Sequence, residues 1–206
     1  MRLYRRPCRK KRRPFRTSSI CWAARNTALL NIFEFDFRYD WVATVLRSLE
    51  STFTSIAEKG RNEPWFDGLF QMEHAEAVYG VAYVAAQAYI LGTTQDANRI
   101  REAAWKNHVS KIDYYADARQ CDGTNTSAIS LINSIANYYK HNDEWGDTWP
   151  CNHTTNTLAA VGIDSSVEFP CRKAAVVLFG EDDAWRLDLI LQEISEWRQE
   201  IIARYR

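Results

Sequence analysis

Glycine and proline are scarce in this sequence, with eight and five residues among 206. A chain built from many short strands and tight turns needs more of both. Long apolar runs are also missing, because no stretch approaches the ~20 residues that a helix needs to cross a bilayer. These absences predict a soluble, mainly helical protein, and the length suffices for one domain with a proper core.

Closely spaced cysteine pairs are absent as well. The five cysteines are widely separated and form no C-x-x-C motif. An odd, scattered set is typical of free thiols in a reducing compartment rather than of a disulfide framework. We therefore expect a cytoplasmic protein. As a separate expectation, no motif calls for a cofactor.

Acidic residues are missing from the N-terminal segment, where the first is Glu34. Residues 1–16 contain nine lysines and arginines, whereas the rest of the chain carries 17 basic and 26 acidic side chains, a net charge of −9. This block of like charge predicts a disordered basic tail over residues 1–31, followed by a single helical domain over residues 32–206. The acidic domain lacks the electrostatics of a general nucleic-acid binder.

Four interpretations of the basic tail stay open. It can be a solvated arm that pairs with phosphates or with an acidic partner. Arg12 and Arg13 suggest a twin-arginine export signal, although Arg25 and Asn26 interrupt the apolar region that such a signal needs. The remaining two are an organelle transit peptide and a misplaced start, which would leave the segment without a role.

Apolar side chains recur every three or four residues over most of the remaining chain, which predicts helices. The alanine-rich segment 72–92 is expected to be the central helix, with Gly92 as its C-cap. We expect four long helices, two or three short ones and no alternating strand, so the fold class is an all-α helical bundle. The expected helices cover residues 37–60, 72–92, 94–105, 126–141, 168–179 and 183–205, with one further turn over 157–162.

One of these helices carries a polar stripe. Asn133, Asn137 and His141 are four residues apart, so they share one helix face, and Ser130 and Ser134 flank it. An imidazole at a helix C-terminus can titrate near neutrality and suits general acid–base chemistry. The alternative is a solvated face that ends in a histidine near the helix dipole.

The N-x-x-x-H spacing of Asn137 and His141, with an earlier helix that reads E-H-A-E-A-x-x-G-x-A over residues 73–82, resembles the HEPN superfamily. That resemblance implies a small helical bundle that forms a homodimer. It also implies a metal-independent endoribonuclease of a toxin–antitoxin or phage-defence system. In that family an arginine, then Asn, His or Asp, then a histidine form the motif, and two motifs meet across the dimer.

The sequence departs from this motif at one position. Ala136 stands where the family has its arginine, and no arginine occurs between residues 120 and 171. The resemblance implies that Asn137 orients the histidine and that His141 is the general acid or base at a ribose 2′-OH or the leaving 5′-oxygen. Lys140 is the only cation on this helix and is the third catalytic candidate, because it could stabilise the phosphorane if the backbone turned it toward the site. A lysine nevertheless lacks the planar fork that binds a phosphate bidentately.

Further binding candidates lie near both ends of the proposed site. Asn133 extends the stripe, and Trp145 and Trp149 can either stack on a base or hold their loop, residues 142–156, against the core. His74 and Glu76 can complete a polar pocket if the start of the central helix meets this loop. Otherwise they belong to a solvated first turn.

A metal site is an alternative that we do not expect. Zinc accepts histidine, cysteine and carboxylate ligands, but the spacing here matches no closed zinc module. The candidate ligands within 13 residues are His141, Asp143, Glu144, Cys151 and His153.

Three functions therefore compete. The first is a HEPN-like protein that acts on RNA, with an antitoxin or another protein as a partner. The second is a catalytically inactive helical interaction module that binds a protein partner, which the missing arginine favours. The third is a bundle that binds a small molecule through residues 142–156. No membrane association is expected.

Overall fold

A computed structural model describes residues 35–146 and 148–205, so the interpretations of the basic segment 1–31 lie outside the described residues. Those residues form seven helices and no strand, with a single isolated bridge between Gln120 and Ser127. The all-α prediction is confirmed, as are the four long and three short helices. The helices are α1 (Tyr39–Asn62), α2 (Gly68–Ala103), α3 (Lys111–Ala116), α4 (Ala128–Trp145), α5 (His153–Ala159), α6 (Pro170–Phe179) and α7 (Asp188–Tyr205).

Local signals explain where several helices begin. Asp67 caps α2, because its carboxylate accepts hydrogen bonds from the backbone N–H groups of Leu69 (3.0 Å) and Phe70 (3.2 Å). Ser127 caps α4 in the same way, and Pro170 occupies the first turn of α6, where its missing N–H costs nothing. These helix starts follow from short-range chemistry alone.

The central helix is longer than the sequence indicates. The predicted break at Gly92 and the separate helix over residues 94–105 are wrong, because α2 runs without interruption to Ala103. Gly92 is needed for close approach and not for a cap, since a Cβ there would overlap the guanidinium of Arg38. That contact joins residues 54 positions apart and leaves no local signal.

The connections differ from the sequence prediction in four further places. Helix α4 extends to Trp145, and α5 begins at His153, so the expected loop over 142–156 shrinks to about half. The expected turn over 157–162 is displaced toward the N-terminus and becomes part of α5. Helix α3 lies within residues 106–125, where the sequence predicts no helix, and α7 begins five residues later than expected.

Helix α2 is the centre of the bundle. It packs against α1, α4, α6 and α7, and α5 packs on α4. The large rings of Tyr79, Tyr83 and Tyr89 are fully buried along α2, and the Tyr79 hydroxyl donates a hydrogen bond to the carbonyl oxygen of Ala184 (2.9 Å). This arrangement places one face of α4 directly against α2. In the described part of the chain, no helix has the length and apolar character needed to cross a membrane.

Candidate functional site

The polar stripe of α4 meets a buried glutamine of α2. Gln87 donates through its Nε2 atom to the side-chain oxygens of Asn133 and Asn137, both at 2.9 Å, and to the backbone oxygen of Asn133 at 3.1 Å. Asn133 is only 6% exposed. The two asparagines therefore join α4 to α2, and Asn133 does not form part of an open surface.

Lys140 completes this network. Its Nζ atom donates to Gln87 Oε1 at 2.6 Å, so the glutamine uses both ends of its amide. Asn137 in turn donates to the hydroxyl of Thr154 on α5, at 3.4 Å. Partial burial lowers the pKa of Lys140, and the positive charge of Lys111 lowers it further. The structure thus brings Asn133, Asn137 and Lys140 together around the side chain of Gln87. We call these four hydrogen-bonded side chains the Gln87 network.

His141 does not take part in the Gln87 network among the described residues. Its Nδ1 atom lies 3.3 Å from Glu144 Oε1, one turn further along α4, and both side chains are exposed. Helix geometry explains the separation. At about 100° per residue, Lys140 is rotated by only about 20° from Asn133, whereas His141 is rotated by about 80°.

The acidic and imidazole groups at the start of α2 have different surroundings. Glu76 accepts hydrogen bonds from the backbone N–H groups of Cys171 (2.6 Å) and Arg172 (2.9 Å), so it caps the N-terminus of α6 from outside that helix. Burial raises the pKa of Glu76, and the two hydrogen bonds oppose the shift. The exposed ring of His74 lies 5.0 Å from that of Phe66. Neither residue belongs to the Gln87 network.

The two tryptophans after the stripe pack against each other and against α4. Trp145 and Trp149 lie 5.7 Å apart, and each ring contacts Tyr138, at 5.8 Å and 4.9 Å. Trp149 also packs against the core. These contacts hold the connection after α4 against the bundle.

Within residues 35–146 and 148–205, no group of three or more histidine, cysteine or acidic side chains is arranged to hold a metal ion. Cys151, one of the candidate ligands, is exposed.

Gln87 is the residue that the sequence analysis missed. It lies in a stretch, residues 75–91, whose other side chains are apolar or tyrosine except for Glu76. Both exceptions are hydrogen bonded to another element of the bundle. An isolated long polar side chain in an otherwise apolar helix was therefore the signal available, because a buried polar group needs a partner.

Comparison of the chain with protein-family models, with curated protein sequences and with solved structures finds no match. The resemblance to the HEPN superfamily therefore rests on the motif residues alone.

Proposed function

We propose that this chain is a helical protein-interaction module and that the outward face of α2 is its binding surface. The observation that carries the proposal is the character of that face. Every exposed side chain between residues 77 and 88 of α2 is apolar, and these are Ala77, Val81 and Ala88. Val81 is 43% exposed.

Half-buried side chains make this surface continuous. Val84, Ala85 and Leu91 lie on the same side of α2, within about 80° of Val81 and about 60° of Ala88 on a helical wheel. No charged side chain interrupts this face between residues 77 and 91. A surface helix of a monomer normally turns polar side chains outward, and a contiguous exposed apolar patch marks a site of association.

The N-terminal end of α2 carries a second exposed apolar group, separated from this face by the exposed side chains of Glu73 and His74. Trp65, Leu69 and Phe70 are 60%, 51% and 44% exposed. The ring of Trp65 lies 6.2 Å from that of Phe70, and Lys59 Nζ lies 4.7 Å above the Trp65 ring. Exposed aromatic rings with a charged rim are typical of the centre of a protein interface. We call the two rings, Trp65 and Phe70, the aromatic cluster.

The state of the candidate catalytic residues also supports an interaction module. Asn133, Asn137 and Lys140 are hydrogen bonded to Gln87, so a substrate would have to displace bonds that join two helices. His141, the candidate acid or base, is exposed but stands apart from these three side chains, so the four residues do not line one open site.

The test is the native mass of the full-length chain, both purified and in extracts of cells that produce it. A 23.9 kDa chain that binds a partner elutes as a larger particle with a defined composition. Val81→Glu should return it to the mass of a single chain with an unchanged Tm, because the side chain is on the surface. Ser51→Glu, on the exposed face of α1, is the matched control and should leave the particle intact. A wild-type chain that stays alone in both settings contradicts the proposal.

A second candidate is action on RNA, which one observation favours. Lys140 lies beside Asn137 through their shared contact with Gln87, which supplies a cation next to the N-x-x-x-H pair where the family arginine is missing. In this mechanism His141 transfers the proton and Lys140 stabilises the charge that develops on the phosphorus oxygens.

Incubation of the purified chain with a defined RNA and separation on a denaturing gel tests this second candidate. Cleavage should be lost in His141→Ala and in Lys140→Ala but kept in Lys173→Ala, which changes an exposed lysine on α6. Growth arrest on expression should be relieved by the same His141→Ala change. Cleavage or arrest that persists in His141→Ala contradicts a ribonuclease.

A further inference from the structure

We infer that the partner of this surface is a second copy of the chain, bound with its α2 helix antiparallel to the first. Val81 of each copy then lies opposite Val84 of the other. The inference rests on the proposed function, because it names the partner of the surface proposed there. It adds the identity of that partner, the direction of the two helices and their register.

The outward face of α2 repeats every seven residues. One position of the repeat is occupied by Ala77, Val84 and Leu91, and another by Val81 and Ala88. Along the chain these five residues follow one another at steps of four, three, four and three. Alternating steps of three and four are the pattern by which two helices pack along a shared seam. The pattern lies on the exposed and half-buried side of a continuous helix, where α2 itself does not need it to fold.

The spacing is self-complementary when the second helix runs in the opposite direction. With a two-fold axis midway between Val81 and Val84, Ala77 meets Ala88 of the second copy. His74 and Leu91 meet in the same way at the two outer contacts. Valines thus fill the centre of the seam, and the alanines beside them let the two backbones approach closely. A parallel pair would instead place His74 against His74.

The charges at the ends of α2 select the same direction. Arg99, whose side chain is 64% exposed, lies near the C-terminal end. Antiparallel pairing brings Arg99, which also lies 3.5 Å from Asp96 of its own chain, to the N-terminal end of α2 of the second copy, which carries the exposed carboxylate of Asp67. A parallel pair would bring each Asp67 close to the other. Antiparallel helices also place opposite ends of their macrodipoles side by side.

The aromatic side chains at the ends are complementary as well. Trp105, just beyond the C-terminus of α2, is 86% exposed, and it has a left-handed backbone with φ = 58°. At the other end of the helix lies the aromatic cluster with Trp65. Antiparallel pairing brings Trp105 of one copy to the end of α2 that carries the aromatic cluster of the other. Two large apolar groups that are exposed in the single chain thereby lose contact with water.

The size of the seam predicts how strong the association is. From residue 74 to residue 95 the helix extends about 33 Å, and a contact strip about 10 Å wide covers about 330 Å² on each copy. The two copies together then bury about 660 Å², which is below the ~1,200 Å² of a standard stable interface. We therefore expect a dimer that dissociates on dilution, with a dissociation constant in the micromolar range.

Sedimentation equilibrium of the full-length chain, over a hundredfold range of concentration, tests the partner. The mean mass should rise from 23.9 kDa to twice that value. Val81→Glu should weaken self-association at least tenfold, because it places two carboxylates in the centre of the seam. Ser51→Glu should have no effect.

Disulfide cross-linking tests the register. In a chain with Cys8, Cys21 and Cys151 changed to serine, the double substitution Ala77→Cys with Ala88→Cys should give a covalent dimer on mild oxidation. Each single substitution should not, because position 77 faces position 88 and neither faces itself.

Three results would overturn the inference. Cross-linking of either single variant with itself would indicate a parallel pair. A chain that stays monomeric but binds a different protein through Val81 would leave the proposed function standing without a second copy as partner. A monomer whose Tm falls on Val81→Glu would show that its own chain covers this face, which contradicts both proposals.

Discussion

Helices α1 and α2 lie side by side, yet their outward faces are opposite in character. Every exposed side chain of α1 between residues 44 and 55 is polar. Several of these are hydroxyls that bond to carbonyls of the preceding turn, such as Ser48 Oγ to Thr44 O (2.8 Å). Over the corresponding length α2 exposes alanine and valine. The two strongly polar residues between positions 75 and 91 of α2, Glu76 and Gln87, contact other helices.

The difference shows that the two helices have different tasks. Helix α1 is an amphipathic helix with one buried stripe, formed by Val42, Ala43, Leu46 and Phe53. Helix α2 is enclosed by four others and uses polar side chains and a glycine to connect to them. Its remaining open face is apolar, which a single chain does not require. Substitutions at the inner contacts of α2 and at its exposed C-terminal end should therefore act differently from matched changes in α1.

The largest effect is expected from adding one methyl group to α2. At Gly80 a Cβ would overlap the ring of Tyr139, which packs α4 against α2. We expect Gly80→Ala to lower the free energy of unfolding by about 3 kcal/mol, because neither the ring nor the helix backbone can yield. Chemical denaturation measures this change.

Gly60→Ala in α1 is the control for Gly80→Ala. There the added Cβ meets only the flexible end of Gln71. The gain in helix propensity, about 1 kcal/mol, should roughly offset the displacement of that side chain. If the two substitutions have equal effects, the inner contact of α2 is not as tight as the structure indicates.

The next effect in size comes from the Gln87 network. Gln87→Leu leaves the side-chain oxygens of Asn133 and Asn137 without their donor, and Asn133 is buried. We expect a loss of about 2 kcal/mol in unfolding free energy, since an unpaired buried polar group keeps its full desolvation cost. Gln95→Leu, on the exposed side of the same helix, should change stability by less than about 0.5 kcal/mol. Equal losses would mean that the amide contributes nothing beyond helix packing.

The sequence predicts the parts of this structure that depend on neighbouring residues. The expected starts at residues 126 and 168 lie two residues before those of α4 and α6, and the period of apolar residues gives all four long helices. Gly92 misleads because its role is to admit the side chain of Arg38, the residue that precedes α1. A glycine at a cap and a glycine at a crossing look the same in one sequence.

The candidate site shows the same limit. The spacing of Asn133 and Asn137 correctly places them on one side of α4, whereas their donor, Gln87, lies about 50 residues earlier in the chain. Lys140 and not His141 reaches that glutamine, because seven residues return closer to the same helix face than eight.

A pH dependence should distinguish Glu76 of α2 from the exposed acids of α1. Burial raises the pKa of Glu76 in the folded chain above its ordinary value of 4.5. The folded state therefore holds this proton more tightly than the unfolded state. The contribution to stability is complete below pH 4.5 and is lost as the pH rises through the folded pKa. For a single proton the loss cannot exceed about 1.4 kcal/mol per pH unit.

Urea denaturation between pH 4.5 and pH 7, of the wild type and of Glu76→Gln, measures this contribution. The glutamine variant should be less stable overall, because one backbone N–H of α6 loses its acceptor. The difference in unfolding free energy between the two proteins should shrink as the pH rises, since only the wild type loses the stabilising proton. Glu58→Gln, an exposed acid of α1, should leave the profile of the wild type unchanged. Parallel profiles for Glu76→Gln and the wild type would show that Glu76 ionises as freely as a surface acid.

The smallest effect concerns the C-termini of the two helices and has the opposite sign. Helix α1 is followed by Glu63 in extended backbone. Helix α2 is followed by a left-handed turn at Trp105, closed by a hydrogen bond from Lys106 N to Arg101 O (2.8 Å). Glycine adopts that conformation without the steric cost that a Cβ incurs. We expect Trp105→Gly to raise the free energy of unfolding of the monomer by about 1 kcal/mol. Trp105→Ala, which keeps the Cβ, should give no such gain.

Both substitutions at Trp105 remove the same exposed ring, so they should weaken self-association equally while differing in stability. That pairing separates the conformational cost at this position from the contact that the ring makes. If Trp105→Gly raised the unfolding free energy but gave the same mean mass as the wild type at every concentration, the ring would have no part in the dimer. The apolar face of α2 between Ala77 and Leu91 would then have to account for the association alone.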